Sequence, residues 1–67
     1  MKVTQRVGAN LRRAREERGI SQEELADRAG LHRTYISGVE RGVRNPTVVV
    51  LEKIAKALKV KTSTLLD

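Results

Sequence analysis

Apolar positions recur along this chain at helical spacing. Val7, Leu11 and Ala14 fall at i, i+4 and i+7, one face of a helix predicted from about Thr4 to Arg18. Thr4 is a candidate N-cap, Gly19 follows as a C′ residue would, and Arg12, Arg13 and the run Arg15–Arg18 crowd the polar faces. Leu25, Ala26 and Ala29 form the inner stripe of a short second helix, about Gln22 to Ala29. Ser21 caps it, Glu24 completes a capping box, and Gly30 ends it. Ile36 and Val39, at i and i+3, mark a third helix, about Arg33 to Arg41, stopped by Gly42. After a "VRNP" loop, Thr47 caps a fourth helix with the strongest stripe of the chain: Leu51, Ile54, Ala55 and Leu58, with Val48 a possible addition. Thr62 or Ser63 caps a short fifth helix that delivers Leu65 and Leu66. The expectation is an all-α, five-helix domain over residues 1–67.

Composition narrows what the core can be. With one Tyr and neither Phe nor Trp, it must be built from Leu, Ile, Val and Ala. The chain has no cysteine, so disulfides and thiolate metal sites are excluded. Its longest apolar run, Val48 to Leu51, is far too short for a membrane span, so a cytoplasmic protein without membrane partners is expected. Charge then points to a partner. Fourteen Lys and Arg against eight acidic residues give +6, and the pI is about 10.6. On so small a domain, that balance is the footprint of a nucleic-acid binder. A soluble basic protein whose charge merely prevents aggregation has the same composition.

Residues 22–39 carry the discriminating constellation. Two short helices are joined by "AGL", a turn too short for antiparallel packing, so they must cross steeply as in a helix-turn-helix. Ala26 is small enough for the crossing, Gly30 supplies the positive φ of the turn, and Ile36 and Val39 anchor the second helix from below. The stretch "GISQEELADRAGLHRTYISGVERGVRNPTVVVLEKIAKALKV" resembles the helix-turn-helix of lambdoid phage repressors and Cro proteins. Within that lambda-repressor-like superfamily, "RTYISGVERGVRNP" is similar to the small controller proteins of restriction-modification systems. The resemblance covers about Arg6 to Leu66.

The resemblance implies a compact five-helix DNA-binding domain of bacterial or phage origin, associated with the nucleoid when bound. The third helix would enter the major groove with Arg33 and Thr34 at base edges. Arg33 can make a bidentate contact to guanine, and Thr34 can offer a hydroxyl to a base and a methyl to thymine. An arginine at a helix start is disfavoured by the helix dipole, which argues for an anionic partner. Gln22 matches a phosphate-binding position at the second helix's N-terminus, where free N–H groups favour anions. Arg41, Arg44 and Asn45 would lie along the DNA backbone, with Arg44 also able to reach a base. His32 reads as a cap or a phosphate neighbour. Tyr35 either contacts the DNA backbone or covers the junction of the second and third helices. By helical angle, Ser37, Gly38 and Arg41 face outward with Thr34. A bare Gly38, despite costing about 1 kcal/mol relative to alanine, would let the helix sit deep in the groove. The resemblance also implies a structural ion pair between Arg15 and Glu40, holding the third helix and masking a carboxylate that would repel DNA.

Other classes fit poorly. One His, two Asp and no Cys assemble no catalytic triad, metal cluster or phosphate loop, so neither an enzyme nor a cofactor or small-molecule ligand is expected. A single aromatic is too few for a single-strand RNA reader. An antitoxin that binds its own operator remains an alternative. A domain this small implies a homodimer on a two-fold, palindromic operator. Val49 and Val50, surplus to the fourth helix's stripe, with Thr62 and Leu65 nearby, are the candidate dimer seam.

Overall fold

The computed structural model describes residues 2–67. Among them lie five helices: α1 (Val3–Glu17), α2 (Gln22–Ala29), α3 (Arg33–Glu40), α4 (Val48–Leu58) and α5 (Thr62–Leu66). α1 packs against α3 and α5, α2 against α3 and α4, and α4 against α5. At 1.5 Å per residue α1 is about 22 Å long, enough to span the shorter dimensions of a molecule measuring 27 × 22 × 21 Å. Among the described residues, no helix is long and apolar enough to cross a membrane.

The helical stripes meet in one core. Leu11, Leu25, Ile36, Val39, Ile54, Leu58 and Leu65 are essentially without solvent contact. Each such side chain contributes about 1.5–3 kcal/mol by its burial. One expectation is corrected at α5. Leu65, assigned to a dimer seam, is fully buried in this core, whereas Leu66 is 42% exposed. The reason lies in a residue that periodicity passes over. Asn10, a polar residue buried in the core, donates from Nδ2 to the Leu65 carbonyl at 3.1 Å. Its Oδ1 accepts from Arg13 Nη2 at 2.9 Å. This pair of bonds satisfies the amide and pins α5 onto α1.

The helix starts follow local chemistry where a capping side chain is used. Ser21 Oγ accepts from Glu24 N at 3.0 Å, and Thr47 Oγ1 from Val50 N at 3.2 Å. The reciprocal half of the capping box is replaced: the Glu24 carboxylate turns to Arg28 Nε, 2.8 Å away on the next turn. The other expected caps are corrected. The N-cap of α1 is Lys2, two residues before Thr4, which lies inside the helix, and that of α5 is Lys61 rather than Thr62 or Ser63. In both cases the backbone closes the first turn, Lys2 O accepting from Arg6 N and Lys61 O from Thr64 N, both at 3.0 Å.

Four helices end alike. In α3 the N–H of Val43 reaches back to Gly38 O at 3.0 Å and that of Gly42 to Val39 O at 3.0 Å. That pair of bonds defines a Schellman motif, with Gly42 at φ 77° as its left-handed residue. Gly19 and Gly30 hold the same place after α1 and α2. After α4 the place is taken by Lys59, at φ 58°, with Val60 N bonded to Ala55 O at 3.0 Å.

In α4, Val48 and Val49 are each 65% exposed, while Val50 is half-buried against the core. Val48 therefore does not join the core, because its place in the first turn is not covered by a neighbouring helix. Val50 is not surplus.

Candidate nucleic-acid interface

The first turn of α3 presents its side chains to solvent. His32, Arg33 and Thr34 are exposed, Ser37 is half-buried, and Ile36 and Val39 point into the core. His32 occupies the N-cap position, but its side chain makes no capping hydrogen bond, so that part of its expected role is corrected. Tyr35 is half-buried and packs against the core, which supports the covering reading of this residue.

Two approaches hold α3 from behind. The first is a close contact with α1. A Cβ on Gly8 would stand 2.6 Å from the Glu40 carbonyl oxygen and still nearer that of Val39, so only a glycine lets these backbones meet. Helical periodicity treats Gly8 as a neutral position and misses it. Its signal in the sequence is a lone glycine inside an otherwise strong helix.

The second is a polar network joining three helices. Arg15 Nε donates to Glu40 Oε2 at 2.7 Å and Arg15 Nη2 to Glu40 Oε1 at 3.1 Å, a bidentate pair. The two side chains are only 12% and 4% exposed. Arg15 Nη1 donates to the Ile20 carbonyl at 2.8 Å, and Gln22 Nε2 donates to Glu40 Oε1 at 3.0 Å. The hydrogen bond to Glu40 raises the Arg15 pKa above its ordinary value, against the opposing pull of burial; the charges of Glu40 and Glu16 add to it. The pair anticipated from Arg15 and Glu40 is thus formed. It also takes in Gln22, whose amide is fixed at the N-terminus of α2 against the last residue of α3.

The reading of Gly38 as a bare outward position is corrected. Gly38 is buried, and what covers it is the side chain of Arg44. Its Cγ lies 2.5 Å from where a Cβ on Gly38 would stand, and its Cβ and Cδ 3.6 Å away. The Schellman turn accounts for this: the N–H groups of both Val43 and Arg44 bond to Gly38 O, at 3.0 and 3.2 Å, folding the chain back over the helix. Arg41, which caps α3, and Arg44 and Asn45 are exposed beyond that turn. The structure therefore places Arg33 and Thr34 at the exposed N-terminal end of α3, and Gln22 and the basic loop Arg41–Asn45 at its C-terminal end. It sets the seam candidates Val49 and Thr62 apart from them, beside a shallow groove shared with Glu52, Lys56 and Val60.

Comparison with known proteins agrees with this geometry. An uncharacterized HTH-type transcriptional regulator from Sinorhizobium fredii is 47% identical over 60 residues, covering 90% of this chain and 78% of that protein. Control protein C.SmaI from Serratia marcescens is 44% identical over 66 residues, covering 98% of this chain and 79% of its own. Among solved structures, the restriction-modification controller protein C.AhdI from Aeromonas hydrophila superposes with a TM-score of 0.90 at 44% identity, covering 92% of this chain and 94% of that one. The helix-turn-helix family model matches residues 11–65, from the middle of α1 into α5. The chain belongs to the helix-turn-helix family.

Proposed function

We propose that the protein is a transcriptional regulator of the restriction-modification controller type, binding double-stranded DNA as a homodimer on a palindromic operator in the cytoplasm. The observation that carries this reading is the exposed N-terminus of α3, with Arg33 and Thr34 in solvent on a helix fixed from behind by Gly8 and by the Arg15–Glu40–Gln22 network. A major-groove reader needs such rigidity, because a base edge is distinguished by donors and acceptors at fixed positions. Arg33 would read a guanine. Gln22, the N-terminus of α2 and the loop Arg41–Asn45 would hold phosphates. Its action is binding rather than catalysis, without a cofactor, membrane or small-molecule partner.

The test is selection of bound sequences from a random duplex pool. The expected product is a two-fold site with half-sites about 10–10.5 bp apart or a multiple of that. Arg33→Ala is expected to cost about 1–3 kcal/mol and relax one base pair per half-site, while Gln22→Ala weakens all sequences nearly equally. No enrichment of any duplex would overturn the reading.

A further inference from the structure

By angle, Thr34, Gly38 and Arg41 form one stripe of α3, at i, i+4 and i+7. Thr34 and Arg41 are exposed on it. Gly38 contributes no side chain there, yet the place is filled: the stem of Arg44 lies across its Cα. Two main-chain bonds to Gly38 O hold the Arg44 backbone at that spot. Among the described residues no hydrogen bond or ion pair takes up the Arg44 guanidinium, and the residue is exposed. Its aliphatic part is thus seated while its charged end stays available.

We propose that Gly38 is a specificity-determining positioning residue: it is the slot that lets Arg44, from the loop, serve as the middle side chain of the α3 reading stripe, between Thr34 and Arg41. The helix presents a guanidinium where its own residue has none. An arginine planted at position 38 itself would start from the helix axis and project straight outward. Arg44 instead lies along the helix surface, so its planar fork is offered close to the axis, to a guanine edge or a phosphate beside the one met by Thr34. Any Cβ at position 38 strikes Cγ of Arg44, an atom too near the backbone to move without turning the whole side chain away. The inference rests on the DNA-reading function proposed above.

The experiment is a double-mutant cycle of Gly38→Ala and Arg44→Ala, read both by thermal melts of the free protein and by binding-site selection. In the Arg44→Ala background the obstructing stem is gone, so Gly38→Ala is expected to raise Tm by about 4 °C or more through helix propensity. With Arg44 present, the same change is expected to give no such rise, or a fall. In selection, Gly38→Ala is expected to erase the same base preference as Arg44→Ala, with about a tenfold loss of affinity, and the double variant to be no worse than Arg44→Ala alone. Equal melting shifts in both backgrounds, or additive binding losses, would overturn the proposal. So would a Gly38→Ala protein that fails to fold and is not rescued by Arg44→Ala. If the wild-type protein selects no duplex at all, the regulator reading fails, while the melting cycle still decides whether Gly38 seats Arg44.

Discussion

Glu40 illustrates how one side chain can matter through what it prevents. Its carboxylate is 4% exposed and bound by Arg15 and Gln22. Removing it leaves a nearly buried guanidinium without its partner, the costly half of a broken ion pair. Glu40→Ala is therefore expected to lose about 3 kcal/mol, a large share of the roughly 3–10 kcal/mol available to a chain of this length. Urea titration checks this, and a loss below about 1 kcal/mol would mean the pair is solvated in solution. Residues of this kind were only partly legible. Arg15 and Glu40 lie 25 positions apart, and only resemblance linked them; Gln22 was read for its phosphate and not for its bond to Glu40. Gly8 shows only as a lone glycine within a helix and Asn10 not at all, because what defines them, the Glu40 and Val39 carbonyls and the Leu65 carbonyl, is distant in sequence. Gly38 was misread because helical angle describes a helix alone, and its cover arrives from the following loop.

At the scale of helices, legibility follows locality. The α2 bounds and the Ser21 and Thr47 caps were readable because cap, first turn and stop all lie within a few residues. The starts of α1 and α5 were not, since no side chain marks them. The helix ends offer a quantitative case. Glycine fills the left-handed place after α1, α2 and α3, but Lys59 fills it after α4. A side chain in that conformation costs about 1–2 kcal/mol, partly offset in glycine by its greater unfolded freedom. Lys59→Gly is expected to stabilise the protein by about 1 kcal/mol, raising Tm by about 4–8 °C. The Arg18 Nη2 bond to the Lys59 carbonyl, 3.0 Å, uses only the backbone and survives the change. A melt showing no gain would mean the strain is already relieved.

For the molecule as a whole, net charge and spare apolar surface set the expectations. With +6 on 67 residues, a dimer that neutralises about 6–10 phosphates is expected to lose about 10³–10⁵ in affinity between 50 and 200 mM salt. Fluorescence anisotropy on a fixed duplex measures this, and a flat profile would contradict a phosphate-led interface. The dimer expectation now rests on Val49, which is 65% exposed, rather than on the half-buried Val50 or the fully buried Leu65. Val49→Glu is expected to shift sedimentation toward monomer and weaken operator binding while leaving the melt unchanged. An unaltered dimer would place the seam elsewhere. Fold class, element order and most of the core were readable at this scale, because five helical stripes of aliphatic residues have few ways to close on one another.

The glycine under the end of α3 has a consequence for anyone wishing to redirect this protein to a new target. Because Gly8 brings the main chain of α1 against the Val39 and Glu40 carbonyls, α3 has no room to slide or roll when its outer residues are changed. A library built on this scaffold can therefore randomise positions 33, 34 and 37 while keeping the frame that presents them. Positions 8, 15, 38 and 40 belong to the frame and are to be held constant. Retargeted variants would then differ in the letters they read and not in how the reader is held.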